Sequence, residues 1–532
     1  MLNREKKSRI SVERVASEMF NALAQAFPVA CASDEFFYFP QMRPPEIVWS
    51  QWDDFSIDSV NEITSRLSEW ESELDRIETD DILLQIDLTL LKKLSCTLRE
   101  QLSQVKVWRT HPTFYLTLAC IGLADALQSE DPAAKHERAD TMLSFLDQMS
   151  QNLDNVPVLF RDLGLEMISD TRNYFHFLHK TLPELHPALT ALDRIEQSLR
   201  QVSTCDNFYL PPDMLEIVVR SHLNCQMNLP EINHLLDQEI NEMQQILSEE
   251  SDRIIGPRSM SESAVDHWLK AYQSIPVPEP SNNGMAGLYE KEVYRLAQHC
   301  LEKKLIPSAL VVSSPVKVEL MPSYLAAIRA ASSYSIKPEY PAKGGTFYIL
   351  NTLVSDDTKH RYSREYRMLS AHETWPGHHL LDSSRWNLSR LPRRFIEQPL
   401  FYEGWACFAE ELMWITGYFS GPIDRLLLAK RRLWRAVRGK VDISMQTGMM
   451  DTNTAIKYLK GTGISEEQAV SAARKYPLNP GYQLCYTVGL RRFLDLFDRF
   501  GKNSHNEFVK NVLENGEVAF TDLERLLVNN IN

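Results

Sequence analysis

The strongest constraint on the fold is the spacing of apolar residues in the first half of the chain. In the segment SVNEITSRLSEWESELDRI the apolar residues recur at alternating steps of three and four, and they are Val60, Ile63, Leu67, Trp70, Leu74 and Ile77. This spacing places them on one face of an α-helix, with the charged residues on the other face. Similar patterns run through 83–105, 113–128, 139–152 and 230–249. Because glycine, which disfavours helices, occurs only 19 times in 532 residues, the sequence predicts a mainly α protein.

A chain of 532 residues is too long for one ordinary hydrophobic core, which predicts at least two helical lobes. The segment SIPVPEPSNNGMAG, residues 274–287, contains three prolines and an Asn-Asn-Gly turn signal, which disfavour regular structure. After it, SALVVSSPVKVELM and GGTFYILNT have the composition of strands, the first of them interrupted by Pro315. We therefore predict an N-terminal helical region at 1–280 and a C-terminal catalytic region at 281–532, which adds a small β-sheet to its helices.

Composition narrows the possible partners. The formal net charge of −14 disfavours binding to the phosphates of a nucleic acid, which requires a cationic surface. No apolar run approaches the about 18 residues of a membrane span, and the first residues lack the apolar core of a secretion signal. Eight cysteines without a CxxC pair suit buried thiols in a reducing compartment. The sequence thus predicts a soluble cytoplasmic protein that binds neither nucleic acid nor membrane, and it leaves the oligomeric state open.

The stretch AHETWPGHHLL nearly matches a zinc-binding signature in which two histidines lie one helical turn apart, but Pro376 stands in the place of the second histidine. On a regular helix His378 would be about 120° around the axis from His372, and His379 would share its face but lie about 10 Å further along. Pro376 removes a helical hydrogen bond, and Gly377 permits backbone angles that other residues resist. We therefore predict that the helix is interrupted here.

An interruption at Pro376 would return His378 to the position of the second histidine in the ordinary signature. His372 and His378 would then bind a metal ion, and Glu373, beside a ligand, would be the general base that takes a proton from water. His379 would point toward the substrate or toward a residue that supports a ligand. The alternative, in which His379 is the second ligand, stays open.

A catalytic zinc ion normally has three protein ligands and one open position, and FYEGWACFAEEL supplies a candidate for the third. Glu403 follows His378 by 25 residues and lies among aromatic residues, where an unpaired carboxylate would be costly to bury. Binding to a metal would remove that cost. The alternative is that Glu403 only begins a helix, since an acidic residue is favourable near the positive end of a helix.

These two motifs carry a resemblance to a known family. HETWPGHHL followed by YEGWACFAEE resembles the paired HExxPGH and EGWAxYxE motifs of the bacterial "domain of unknown function 885" family, which is related to helical zinc peptidases of the thimet oligopeptidase and angiotensin-converting enzyme type. PVKVELMPSYLAA, GGTFYILNT and NPGYQLCYTVGL extend the resemblance, which is weaker over the N-terminal half. It implies a deep cleft between the lobes, a zinc site completed by Glu403, and hydrolysis of short peptides.

Two departures from the family pattern bear on activity. Members often have Gln where this chain has Leu381 or Asp382, and they often have His where VDISMQTGMM has Gln446. If that His normally contacts the substrate or steadies the transition state, the activity of this chain is reduced or redirected.

Tyrosines and arginines complete the candidate site. Amide hydrolysis requires a hydrogen-bond donor for the oxyanion, and in NPGYQLCYTVGL Tyr486 is our first choice and Tyr482 the second, with an ordinary structural hydrogen bond as the alternative. In AKRRLWRAVRGK, Arg431, Arg435 and Arg438 share a helical face, and inside a cleft they would hold the terminal carboxylate of a peptide. A solvated basic face is the more common meaning of such a run.

The sequence therefore predicts a zinc-dependent metallopeptidase that hydrolyses short peptides as a carboxypeptidase, dipeptidase or oligopeptidase, by attack of a metal-bound water. Zn²⁺ would be bound by His372, His378 and Glu403, with Glu373 and Tyr486 catalytic. Substrate-binding candidates are His379, Arg435, Arg438 and Tyr482. One alternative is a non-catalytic protein that binds a peptide or a partner and keeps a structural or decayed metal site. Another is a metal-dependent hydrolase of a different amide or ester.

Overall fold

The computed structural model describes residues 2–43, 46–129, 131–279, 284–321, 332–336, 339–350 and 356–531. It is mainly helical with small sheets, which confirms the predicted fold class. The chain divides into two compact units. Unit 1 contains Met1–Phe208 and Ser389–Glu397, and unit 2 contains Tyr209–Met321, Ala331–Leu388 and Gln398–Asn532, as far as these ranges are described.

Amphipathic helices form unit 1. Its α-helices are Leu2–Ala26, Pro28–Ala32, Ile57–Leu74, Ile82–Glu100, Val107–Thr110, Pro112–Gln128, Ala134–Asp140, Met142–Asn152, Val158–His179, His186–Gln201 and Leu391–Phe395, and the parallel strands β1 (Val156–Pro157) and β2 (Thr204–Cys205) pair between them. Helix Ile57–Leu74 begins after Ser56, whose hydroxyl accepts a hydrogen bond from the Ser59 amide. Its predicted apolar face is buried, and Ile77 follows the end of the helix. Spacing in the sequence therefore explains the packing.

Unit 2 is helical as well. Its α-helices are Pro212–Ile217, Leu229–Ile255, Ala264–Ser274, Gly284–Glu302, Ser308–Ser313, Asp356–Glu373, His378–Arg385, Pro399–Ile415, Gly421–Gln446, Thr452–Lys460, Glu466–Lys475, Cys485–Phe500, His505–Leu513 and Phe520–Ile531. The predicted boundary near residue 280 lies at 280–283, outside the described residues, and stays a prediction. The described residues on both sides of it belong to unit 2. The predicted cleft between lobes also stays a prediction.

A three-stranded sheet belongs to unit 2, in the order β3 (Val316–Leu320), β5 (Gly345–Ile349), β4 (Ser333–Ile336). Strand β3 pairs parallel with β5, and β4 pairs antiparallel with it. The strand predicted after Pro315 is present as β3, but the strand predicted before it was wrong, because Ser308–Ser313 is a helix. Its Val run does not alternate between two faces of a sheet: Leu310 is buried, whereas Val312 is 83% exposed.

Four helices of unit 2 carry the candidate site, and we name them the motif helix (Asp356–Glu373), the glutamate helix (Pro399–Ile415), the arginine helix (Gly421–Gln446) and the tyrosine helix (Cys485–Phe500). The glutamate and tyrosine helices touch at two glycines. A Cβ atom on Gly489 would lie 2.2 Å from the Leu400 carbonyl oxygen, and one on Gly404 would lie 2.6 Å from the Gly489 backbone. Glycine is therefore required for this approach of the two backbones.

Candidate metal centre

The interruption predicted in AHETWPGHHLL is present. The motif helix ends at Glu373, and the next helix begins at His378 with Gly377 as its N-cap. The indole Nε1 of Trp405, on the glutamate helix, donates hydrogen bonds to the carbonyls of Pro376 (2.9 Å) and Gly377 (3.3 Å). The glutamate helix therefore holds the segment between the two histidines in place.

Gly377 makes this turn possible, because a Cβ atom there would lie 1.8 Å from the carbonyl oxygen of His372. Gly377→Ala is expected to destabilise the protein by about 3 kcal/mol, at the upper end of the cost of overpacking, and to weaken zinc binding. Thermal unfolding with and without zinc measures both effects. The control is Gly461→Ala, since Gly461 has an ordinary helical φ of −59° and a Cβ there meets its nearest atom at 3.2 Å. Equal melting temperatures for the two variants would contradict this account.

His372, His378 and Glu403 meet in a buried group, in which one ligand atom of each lies within 4.8 Å of the others. The Oε2 atom of Glu403 is 3.7 Å from Nε2 of His372 and 3.6 Å from Nε2 of His378. This buried oxygen has no hydrogen-bond partner among the described residues. Two imidazole nitrogens and one carboxylate oxygen thus converge at distances longer than an ordinary hydrogen bond.

The charge of Glu403 fits a metal ligand. Burial raises the pKa of its carboxyl group, but the imidazoles of His372 and His378 outweigh burial and hold that pKa well below its ordinary value. Its other oxygen, Oε1, accepts a 3.0 Å hydrogen bond from the hydroxyl of Tyr482. The carboxylate is therefore ionised at neutral pH, with one oxygen held by the protein and the other facing the histidines.

His372 is oriented by a second carboxylate. Its Nδ1 lies 3.0 Å from Oε1 of Glu410, so a neutral imidazole that donates from Nδ1 would leave the lone pair of Nε2 for a metal ion. Arg435 supports the pair, because it donates to the same Glu410 oxygen at 2.6 Å and lies 3.1 Å from Nδ1 of His372. His378 is held differently: its ring stacks on Tyr402 with the centroids 4.0 Å apart.

The arginine run is not a solvated face, so that alternative is wrong. Arg431, Arg435 and Arg438 are all buried. Arg431 donates to both oxygens of Glu410, at 2.9 and 3.0 Å. Burial raises the pKa of Glu410, but Arg431 and Arg435 outweigh it and keep the pKa well below its ordinary value. The structure thus gives Arg435 a carboxylate of the protein, in place of the predicted substrate carboxylate.

Arg438 and Tyr486 lie together beside Glu403. The guanidinium of Arg438 is 4.2 Å from the centroid of the Tyr486 ring, and its Nε donates to Oε1 of Gln483 at 2.9 Å. Burial and the charge of Glu403 raise the pKa of the Tyr486 phenol well above its ordinary value, although Arg438 opposes them. Tyr486 therefore keeps its proton at neutral pH and can act as a hydrogen-bond donor. Its role as an oxyanion partner stays a prediction.

His379 lies apart from the group. It is fully buried, its Nε2 donates to the carbonyl of Ser314 at 2.8 Å, and its Nδ1 accepts from the hydroxyl of Tyr334 at 2.8 Å. Burial lowers its pKa to about 3, with the Ser314 carbonyl opposing, so the ring is neutral. With both nitrogens bonded to the protein, the geometry favours His378 as the ligand and gives His379 a supporting contact with β4 in place of the predicted contact with substrate.

Glu373 is the last residue of the motif helix. Its Oε2 accepts a 3.0 Å hydrogen bond from the backbone N–H of Tyr334 in β4, and within the described part of the chain its Oε1 has no partner. Gln446, which departs from the family pattern, bonds two backbone groups: it accepts from the Leu210 N–H at 3.3 Å and donates to the Pro477 carbonyl at 3.4 Å. The side chain of Gln446 therefore joins segments of unit 2.

Glu410 is the main residue of the site to which sequence reasoning assigned no role. It follows Glu403 by seven residues, which is two helical turns and places both carboxylates on one face of the glutamate helix. That spacing was a usable signal. Tyr334 and Tyr402, which contact Glu373 and His378, carry no comparable signal, because only the fold brings them close.

A family model for a "Bacterial protein of unknown function (DUF885)" matches residues 178–527. The chain belongs to this DUF885 family. The match includes all three residues of the group, His372, His378 and Glu403. No curated protein sequence matches the chain.

Two solved structures share the fold of this DUF885 chain. One, from Shewanella oneidensis, is described as a "putative lipoprotein of unknown function"; it is 15% identical, with a TM-score of 0.76, over 97% of this chain and 99% of that one. The other, described as a "putative lipoprotein" from Colwellia psychrerythraea, is 16% identical, with a TM-score of 0.77, over 98% and 99% of the two chains. In the described part of our chain, no helix has the length and apolar character needed to cross a membrane.

Proposed function

We propose that this DUF885 protein is a zinc-dependent metallopeptidase that hydrolyses short peptides. The observation that carries the proposal is the convergence of His372, His378 and Glu403, whose ligand atoms lie within 4.8 Å of one another while Oε2 of Glu403 has no hydrogen-bond partner among the described residues. Two imidazoles and one carboxylate form the donor set of many catalytic zinc sites, which keep a fourth position open.

These residues fit a zinc ion in charge as well as in number. Glu403 supplies one negative charge, and Glu410 sets the tautomer of His372 so that its Nε2 can bind a metal. Zinc bound there would lower the pKa of a water molecule and polarise the carbonyl of a peptide bond. A purely structural zinc site would be expected to have a fourth protein ligand, and the described residues supply three, which supports a catalytic role.

In the proposed mechanism Glu373 is the general base. The backbone N–H of Tyr334 fixes one oxygen of its carboxylate, and the other can accept a proton from the attacking water and pass it to the leaving amine. The phenol of Tyr486, which stays protonated, would donate a hydrogen bond to the oxyanion that forms on the substrate carbonyl. Tyr482 would hold Glu403 in place, through its 3.0 Å hydrogen bond.

The test combines metal content with cleavage. Protein purified without chelators should contain about one zinc ion per chain, the number that one site of three ligands would hold. A mixture of short peptides with free and blocked termini, followed by mass spectrometry, should show cleavage that is lost after chelation and recovered with added zinc. The pattern of products would tell release of single residues from internal cleavage. Peptide binding without cleavage in the zinc-loaded protein would instead favour the non-catalytic alternative.

A further inference from the structure

Strand β3 has an open edge in the described sheet. The hydrogen bonds that flank it, from Gly345 N–H to the Pro315 carbonyl (3.2 Å) and from Met321 N–H to the Ile349 carbonyl (2.7 Å), show that the odd-numbered residues of this segment turn their backbone groups toward β5. Backbone groups alternate along a strand, so those of Val316, Val318 and Leu320 point to the other side. Among the described residues, no strand pairs with that side.

A groove of about 530 Å³, lined mostly by apolar residues but also by Glu290, Lys317 and Glu319, follows the same strand. It is lined on one side by Val316 and Val318 of β3, and on the other by residues of Gly284–Glu302 and Ser308–Ser313, which include Val293, Tyr294 and Val311. Large apolar side chains remain exposed around it, since Tyr294 is 67% exposed and Leu320 is 45% exposed. Solvent-exposed strand edges with apolar surroundings are sites where another strand can pair.

The sequence of β3, VKVEL, is complementary to itself in antiparallel pairing. With a two-fold axis at Val318, Lys317 of one chain would lie opposite the partner's Glu319, and Glu319 opposite the partner's Lys317. The same register places the exposed Leu320 opposite the partner's Val316, which lines the groove. Val318, whose N–H and C=O point outward, would exchange hydrogen bonds with the partner's Val318. The charged pairs would fall at the non-hydrogen-bonded positions, where facing side chains are closest.

We propose that two copies of this chain pair through β3, antiparallel about Val318, and form a dimer with a continuous sheet across the two-fold axis. A lone Lys on a strand edge usually discourages pairing, but here Glu319 supplies its opposite charge in the second copy. The partner's Leu320 would occupy the groove beside Val316 and Val311. This inference is independent of the proposed peptidase activity, because the paired residues of β3 do not belong to the candidate metal centre, although Trp375, between Glu373 and Pro376, also lines the groove.

Sedimentation equilibrium of the full chain tests the pairing. The wild-type protein should be in a concentration-dependent equilibrium between monomer and dimer. Lys317→Glu and Glu319→Lys each place two like-charged pairs at the interface, and each should weaken self-association by about tenfold or more. Mixing the two variants should restore association, because each chain then faces the opposite charge. The control is Lys303→Glu, which makes the same charge change at an exposed position outside β3 and should leave association unchanged.

The mixing experiment distinguishes this dimer from other assemblies. Circular dichroism should show that all variants are folded, since Lys317 and Glu319 are exposed. The proposal would be overturned by a wild-type protein that stays monomeric at every concentration, by association that neither variant changes, or by a mixture that associates no better than the variants alone. A monomer that binds extended peptides, with affinity reduced by Lys317→Glu, would assign the groove to a different occupant and would also overturn it.

Discussion

Glu373→Gln is expected to reduce the turnover of peptides by about a thousandfold or more, which corresponds to about 4 kcal/mol of lost transition-state stabilisation. Glutamine keeps the size of the side chain and can still accept the hydrogen bond from the Tyr334 N–H, but it cannot accept a proton from water. Since Glu373 is not one of the three converging residues proposed as ligands, zinc content should not change. The measurements are kcat on the best peptide substrate and zinc per chain by mass spectrometry.

The matched control for this variant is Glu302→Gln, an exposed glutamate at the end of helix Gly284–Glu302 in the same unit. It should keep full activity and full zinc. If Glu373→Gln cleaves peptides at the wild-type rate, the assignment of the general base is wrong. If Glu373→Gln both loses zinc and melts at a lower temperature, the hydrogen bond from the Tyr334 N–H stabilises the fold more than we assume.

The residues of the candidate site that lie close together in the sequence could be predicted from it more fully than those that lie far apart. His372, Glu373 and His378 lie within seven residues of one another, so helix geometry and the effect of a Pro-Gly pair were enough to bring them together. The sequence left His378 and His379 as alternatives. The choice depends on the Ser314 carbonyl and the Tyr334 hydroxyl, which fill both nitrogens of His379 from segments far along the chain.

The arginine helix illustrates what a sequence pattern cannot provide. Arg431, Arg435 and Arg438 share a face, and a charged face normally meets water because burying an unpaired charge is costly. Here that cost is offset by partners on other segments: Glu410 for the first two and Gln483 for the third. Such pairing is a property of the tertiary fold. The sequence pattern of the three arginines therefore favoured a solvated face, whereas the structure shows them in a buried network.

This network bears on the role of Glu403, because the two glutamates of one helix have different tasks. Glu410 is paired with two arginines and contacts the candidate metal centre at His372. Glu403 has an oxygen that faces both histidines and has no hydrogen-bond partner among the described residues. Loss of an outer partner of a ligand typically costs about 10- to 100-fold in metal affinity, and loss of a ligand should cost more. The two carboxylates should therefore be separable by zinc titration.

Glu403→Ala is accordingly expected to lower zinc affinity by more than about 100-fold and to abolish hydrolysis, whereas Glu410→Gln should lie within the 10- to 100-fold range. Competition with a chromogenic chelator measures both affinities. The matched control is Glu411→Gln, which removes a buried carboxylate from the same helix and breaks its 3.3 Å pair with Arg432, outside the converging ligands. It should lose stability and keep zinc. Equal zinc affinity for Glu403→Ala and Glu411→Gln would contradict the assignment of Glu403 as a zinc ligand. The approach of Glu403 to the two histidines would then be explained by the pairing of buried charges.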